Sequence, residues 1–274
     1  SEKIKKLQDF VELIPTENLE IHYSAIDGNE FLKSLNIKKY SYFHTLMLYD
    51  PYEASINWDA ISPYLNTWGE VIINHMVSDT KRGVLLAQKH ATVAKYENTY
   101  QKDIDEITKL GSDKNGLEKA ILDIIDEQTE KSSREHYIAS FPFFTRNNVL
   151  LYNLIYVSSN IKGLILYKKV AWKTFGGKSS LKNTHGQEDQ LVFSLDGGAF
   201  FESNTDDSCY YVKDIAKDIY NKFSQHHEVD MESIYFYLER HPIFPSEGFR
   251  RQIKEELKST YGVSFDTKRN LAIF

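Results

Sequence analysis

His44-Thr45-Leu46-Met47-Leu48-Tyr49-Asp50-Pro51-Tyr52 is an apolar run that ends abruptly in an acid, a proline and an aromatic. A second run, Glu70-Val71-Ile72-Ile73-Asn74-His75-Met76, follows after one helical stretch, Trp58 to Leu65. Near-continuous apolar runs of this length suit buried parallel strands. Upstream, Ile4, Leu7, Phe10 and Val11 carry amphipathic-helix spacing over 3–14, and Pro15 stops it. Leu19 to Ala25 alternates apolar and polar residues, which predicts a strand. Asp27-Gly28-Asn29 is a turn, and Glu30 to Leu35 a short helix with Asn29 as its cap. Helix and strand therefore alternate, which predicts a doubly wound α/β sheet.

Residues 80–135 are charged and helical in pattern, broken by Gly111-Ser112-Asp113. Tyr137 to Phe144 and Val149 to Ser158 read as two strands joined at Arg146-Asn147-Asn148, an antiparallel hairpin closing the sheet. A helix spans 162–174. Residues 176–208 are rich in turn formers, including Gly176-Gly177 and Gly197-Gly198, and form the expected linker. Beyond it the pattern gives helices over 210–224, 230–240 and 246–261. A short extended piece at His227-Glu228-Val229 lies between the first two. A terminal hairpin joins Val263–Phe265 to Leu271–Phe274. Three helices with a two-stranded ribbon predict a winged helix-turn-helix over 209–274. The expected division is an α/β domain over 1–175 with a helical insertion at 80–135, a linker at 176–208, and the winged helix.

Composition narrows the function classes. The chain has 274 residues, long enough for a core without covalent staples. Its 33 basic and 39 acidic residues argue against a strongly electrostatic, nonspecific nucleic-acid binder. A single cysteine, Cys209, excludes an internal disulfide and a multi-cysteine metal site, and fits a reducing cytoplasm. No run approaches the ~18 apolar residues of a membrane span. The most apolar stretch, Val149 to Val157, is interrupted by Asn153. The charged start Ser1-Glu2-Lys3-Ile4-Lys5-Lys6 does not read as a signal peptide, so none is expected.

Several chemistries leave no trace. Gly176-Gly177-Lys178-Ser179 lacks phosphate-loop spacing and a preceding strand. His226-His227-Glu228 has no further ligand in evidence, so no metal is expected. No G-x-S-x-G occurs. What remains lies at the carboxyl ends of the strands, where parallel sheets bind ligands. There Asp50 can accept a hydrogen bond from an amino group, while Pro51 and Tyr52 flank a flat ring. That set suits methyl transfer to an exocyclic amine, although a strand-ending Asp that caps a turn has the same pattern. Asp27, just past the strand at 19–25, can bind the amino group of a nucleotide. It reads equally as a turn residue before a helix. In the terminal unit, Arg250, Arg251, Lys254 and Lys258 on the last helix, with Lys268 and Arg269 on the wing, can touch phosphates or base edges. Ten acidic residues over 209–274 balance the ten basic ones, so protein contact is an equal reading of this unit.

Taken in order, these segments resemble the three-Cys-motif partner family. Its members look like class I S-adenosylmethionine-dependent methyltransferases with a C-terminal winged helix. The resemblance is carried by Leu46–Tyr52 with Trp58, Gly69–Met76, the helical insertion, the Tyr137–Ser158 hairpin, Lys168–Lys173 and Phe249–Phe274. It implies a Rossmann-like sheet and S-adenosylmethionine as cofactor. Asp27 would lie near the adenine, and Asp50, Pro51 and Tyr52 would form the catalytic loop. Nucleic acid is the expected target, with DNA or RNA as partner. The glycine-rich turn of the family's first strand has no counterpart ahead of Asn18. The chain is therefore expected to be a fragment, to be completed by strands from another polypeptide, or to be a non-catalytic scaffold presenting its winged helix.

Overall fold

The computed structural model describes residues 2–13, 18–40, 42–51, 54–67, 69–86, 90–113, 116–130, 132, 134–144, 150–174, 212–242 and 250–274. The expected linker at 176–208, the turn at Arg146-Asn147-Asn148, Tyr52, Cys209 and Phe249 lie outside these residues.

The two apolar runs form β1 (Leu46–Tyr49) and β2 (Glu70–His75), which pair in parallel with Leu46 opposite Glu70 and Tyr49 opposite Ile73. The amphipathic helix α3 (Trp58–Thr67) connects them and buries Trp58, Ile61, Tyr64 and Leu65. The hairpin strands β3 (Tyr137–Phe144) and β4 (Leu150–Ser158) complete a sheet of order β1-β2-β4-β3. β4 runs antiparallel to both of its neighbours. The sheet is thus mixed, with one parallel pair among the described strands. The insertion between β2 and β3 is four helices, where a single break at 111–113 was expected. They are α4 (Val77–Leu86), α5 (His90–Tyr100), α6 (Ile104–Ser112) and α7 (Gly116–Glu130). The sequence reading missed the stop at Gln101, a non-glycine residue at φ 50, and the Asp103 cap that starts α6.

One sheet face, carrying Tyr49, Val71, Ile73, Ile155 and Val157, packs against Ile61, Ile107, Ile121 and Ile125 in the main core. The other face is covered over its β3–β4 half by α8 (Ile161–Thr174), whose Leu164 packs on Ala139 and Tyr156. Gly163 permits this approach. A Cβ there would sit 2.3 Å from the Tyr156 hydroxyl and 2.7 Å from a Glu70 carboxylate oxygen. Nothing among the described residues gives comparable cover over β1, where Leu46 is 61% and Leu48 66% exposed.

Three expectations for the N-terminal part are corrected. Leu19–Ala25 forms no strand, and Leu19 and Ile21 are exposed. A period-2 pattern becomes a strand only beside a hydrogen-bonding neighbour, and among the described residues nothing pairs with the outer edge of β1. That same edge makes β1 an exposed border strand, where the apolar run predicted a buried one. Helix α1 (Glu2–Val11) forms as expected but buries none of its residues. Helix α2 (Gly28–Ser34) is capped by Asp27, whereas Asn29 was the expected cap.

The C-terminal unit contains α9 (Val212–Phe223), β5 (Glu228–Asp230), α10 (Met231–Arg240), α11 (Arg250–Tyr261), β6 (Ser264–Asp266) and β7 (Leu271–Ile273). The extended piece seen in sequence joins the hairpin to give an antiparallel sheet of order β5-β7-β6. Ile215, Ile219, Ile234, Leu238, Ile253 and Leu257 fill its core. Gly262 at φ +71 ends α11 in the left-handed conformation that glycine adopts without a steric cost.

The two units share packing. Phe141 of β3 belongs to the C-terminal core, with Phe143, Tyr167 and Ala171 against it. Lys168 of α8, 2% exposed, donates to the carbonyls of Leu238 at 2.8 Å, Glu239 at 3.2 Å and His241 at 2.8 Å. All three ammonium donors thus meet the carboxyl end of α10, where the helix dipole favours a cation. Burial nevertheless lowers the Lys168 pKa from the ordinary 10.5 to about 7. Between those values the unfolded chain binds a proton that the folded chain does not, so stability rises with pH over this window. In urea titrations, wild-type stability should rise from about pH 7 to about pH 9, by no more than ~1.4 kcal/mol per pH unit. Lys168→Met should remove that rise and leave α10 carbonyls unsatisfied, at ~1–3 kcal/mol. A Met variant with the wild-type pH profile would contradict the assignment.

Candidate functional site

The carboxyl end of β1 opens into a cleft of about 710 Å³, lined by Asp27, Asn29, Leu46, Leu48, Asp50 and Pro51 among others. Asp27 and Asp50 are far apart in sequence, and the packing of α2 beside β1 brings them to one cleft. Tyr49 is the pivot. Its buried hydroxyl donates to Asn29 Oδ1 at 2.9 Å and accepts from the Asn57 amide at 3.1 Å. It thereby ties α2 to β1 and to the start of α3, and burial raises its pKa. The Tyr64 hydroxyl donates to the Leu32 carbonyl and anchors α2 from the other end.

Both acids have structural partners. Asp27 Oδ1 accepts from the amides of Asn29 at 2.9 Å and Glu30 at 3.1 Å, an N-cap that satisfies donors at the start of α2. Asp50 Oδ1 accepts from Asn74 Nδ2 of β2 at 2.8 Å. In each case the bonds among the described residues reach one oxygen, leaving Oδ2 to accept from a ligand. Burial, then the charge of Asp50, raises the pKa of Tyr152 on β4. Asp50, Asn74 and Tyr152 therefore share one electrostatic environment.

A second polar network lies on the opposite face of β2, since neighbouring strand residues point to opposite sides. His75 is 1% exposed, with Nε2 2.7 Å from the Tyr100 hydroxyl, which lies 3.0 Å from Thr80 Oγ1. Burial lowers the His75 pKa to about 3, so the ring is neutral at physiological pH. Its register partner on β4, Asn153, is fully buried, and neither amide atom has a hydrogen-bond partner among the described residues. Sequence reasoning gave Asn29 only as a helix cap and assigned no role to Asn74, His75 or Asn153. The available signal was a polar residue inside an apolar strand.

The predicted set is therefore brought together in part. Asp27, Asp50 and Pro51 line one cleft, and Tyr52 lies outside the described residues. The cleft's donor set suits the nucleoside part of S-adenosylmethionine. Free carboxylate oxygens can accept from amino or hydroxyl groups, and Leu46, Leu48 and Phe31 offer apolar walls to a flat ring. The amino-acid part is not matched in the same way. Gly28 opens α2, and a Cβ there would meet nothing within 4 Å, so it is no close-approach cradle.

The basic residues of the C-terminal unit are partly neutralised within the protein. Arg269 makes two bonds to Glu228, at 3.0 and 2.8 Å, and Arg251 Nε lies 2.8 Å from Glu255. Arg250 stacks 4.0 Å from the Tyr235 ring centre, and Lys254 lies near the rings of Tyr235 and Phe265. Lys258 and Lys268 are exposed.

Comparison with protein-family models, with curated proteins and with solved structures found no match.

The two roles open to Asp27 separate by mutation. Asp27→Ala should lower stability by ~1 kcal/mol through loss of the cap, while Asp27→Asn, an equally good cap, should stay within a few tenths. Urea unfolding of both variants measures the difference. Equal losses would mean that the cap is not what Asp27 contributes.

Proposed function

We propose that this chain is an S-adenosylmethionine-dependent methyltransferase-like protein with a Rossmann-like α/β domain and a winged helix-turn-helix, acting on nucleic acid in the cytoplasm. The observation that carries this reading is the convergence of Asp27 and Asp50 on one open cleft at the carboxyl end of a parallel strand. Ligands of open α/β sheets bind in that position. Asp27 and Asn29 would hold the nucleoside hydroxyl or amino groups. Asp50, oriented by Asn74, would accept a hydrogen bond from the amine to be methylated. Pro51 and Tyr52 would flank its ring. When bound, the cofactor supplies an electrophilic methyl carbon. The chain's residues act by positioning, and close alignment of donor and acceptor contributes several kcal/mol to such reactions.

Further support comes from the C-terminal unit, whose order of helix, strand, helix, helix and two-stranded ribbon is that expected of a winged helix. In this reading α11 and the β6–β7 turn meet DNA or RNA through Arg250, Arg251, Lys254, Lys258, Lys268 and Arg269.

The lack of a glycine cradle at the described cleft favours a second reading. Here the α/β domain is a non-catalytic scaffold that presents the winged helix to nucleic acid or to a protein.

Calorimetric titration of S-adenosylhomocysteine into the chain separates the two. The methyltransferase reading expects a ~micromolar dissociation constant, weakened at least about tenfold in Asp27→Asn, which keeps the cap and removes the charge. Absence of binding by the wild-type chain would sink a self-sufficient cofactor site. Nucleic-acid contact is measured separately by the salt dependence of binding to short DNA and RNA duplexes. The Lys258→Ala/Lys268→Ala variant should flatten the log–log slope by about one for each phosphate contact removed. An unchanged slope would remove these lysines from the interface.

A further inference from the structure

Two polar side chains, His75 of β2 and Asn153 of β4, face each other inside the protein. They are register partners on the sheet face that also carries Ile73 and Ile155. Both are almost entirely shut off from solvent. Among the described residues, His75 Nδ1, Asn153 Nδ2 and Asn153 Oδ1 have no hydrogen-bond partner. Buried polar groups are nearly always paired, either with protein or with ordered water. Cβ atoms of directly opposed residues lie ~5 Å apart, so the ring and the carboxamide are neighbours. They are nevertheless not bonded to each other.

The surrounding bonds fix what His75 presents. Burial lowers its pKa to about 3, so the ring is neutral. One ring nitrogen then carries a proton and the other accepts. Thr80 Oγ1 of α4 donates to the Met76 carbonyl at 3.3 Å. Its single proton is thereby used, and it accepts from the Tyr100 hydroxyl of α5, 3.0 Å away. Burial raises the Tyr100 pKa, so that hydroxyl keeps its proton. Having given the proton to Thr80, Tyr100 accepts from His75 Nε2 at 2.7 Å. The donors run in one direction, from His75 through Tyr100 and Thr80 to the backbone. His75 Nδ1 is left as a bare acceptor.

We propose that a water molecule is bound between His75 and Asn153, donating to His75 Nδ1 and bonded in turn to the Asn153 carboxamide. A buried water needs about two to four polar partners. The carboxamide offers both a donor and an acceptor, so it can meet the remaining proton or a lone pair of the same molecule. A metal ion does not fit, since among the described residues no group of three His, Cys, Asp or Glu is placed to hold one. An anion does not fit a neutral ring with a bare acceptor. The water joins β2 to β4 on the side where α4 lies against β4. Through His75, Tyr100 and Thr80 the same network continues into the helical insertion, so sheet and insertion are held by one set of bonds. The site stands apart from the cleft, because Asn74 and His75 point to opposite faces of β2. It is independent of the methyltransferase reading.

Two measurements on the full chain test this. Oxygen-17 relaxation dispersion counts waters that stay inside a protein for longer than its tumbling time. Asn153→Leu, close in shape to the original side chain, should lower that count by at least one water per chain while the thermal melt stays cooperative. The second measurement needs no variant at position 153. In nitrogen-15-edited spectra of the wild type, the Asn153 side-chain amide protons should show cross-relaxation with water. That signal should persist in Tyr100→Phe, which removes the nearby hydroxyl as its source. Nitrogen-15 shifts of the wild-type ring should place the His75 proton on Nε2. An unchanged water count in a folded Asn153→Leu variant would overturn the proposal. So would Asn153 amide protons without a water signal, or a His75 proton found on Nδ1.

Discussion

A β-strand has two hydrogen-bonding edges, and among the described residues β1 uses one. This constraint organises the N-terminal part of the protein. On its inner side β1 is fixed by parallel pairing with β2, and β2 is fixed again by β4. On its outer side no described residue pairs with its backbone donors and acceptors. Along the same N-terminal stretch Leu19–Ala25 has no ladder and α1 buries none of its residues. A polar, charged edge would be at rest in water. An edge built from leucine, methionine and aromatics is not, and the cost of leaving such surface exposed is roughly 25 cal/mol per Å².

At the other end of the sheet the situation is reversed. Phe141, Phe143, Tyr167 and Ala171 contribute to the core of the C-terminal unit. The backbone amide of Ser140 donates to the Pro242 carbonyl at 2.6 Å, and Lys168 seals the end of α10. Beside it, burial and then the Lys168 charge hold the His241 pKa down at about 3. An ammonium group in this position stabilises only while its three acceptors stay in place, because a buried cation without partners costs several kcal/mol. The union of the two units is therefore specific in geometry, and α8 serves both: Leu164 packs on the sheet while Lys168 holds α10.

The order of elements was legible because it rests on local signals. The apolar runs at 46–49 and 70–75, the helix at 58–67 and the terminal set of helices and ribbon are periodicities that neighbouring residues impose on one another. The misreadings at the sheet edge share one cause, which is dependence on a partner distant in sequence. Leu19–Ala25 has the pattern of a strand and lacks a neighbour. Leu46 and Leu48 read as buried because the run is apolar, while their exposure depends on what lies across the edge. At the cleft, Asp27 and Asp50 were visible as acids following extended stretches. Asn74 was not, because its role depends on the register that sets Tyr49 opposite Ile73. Asn29 was seen, but as a cap. In the structure Asp27 takes the cap and Asn29 turns to Tyr49.

The two acids differ in what their structural bonds allow. Asp27 accepts backbone donors that belong to α2 itself, so its orientation follows from the helix start and survives whether the cleft is filled or empty. Asp50 is held by a side chain on the neighbouring strand, Asn74 Nδ2, and Asn74 Oδ1 is buried without a hydrogen-bond partner among the described residues. A buried amide oxygen left unpaired costs about 1–3 kcal/mol, a cost that the helix cap at Asp27 does not carry. The start of α2 therefore fixes Asp27, whereas Asp50 is fixed by the register of β1 against β2.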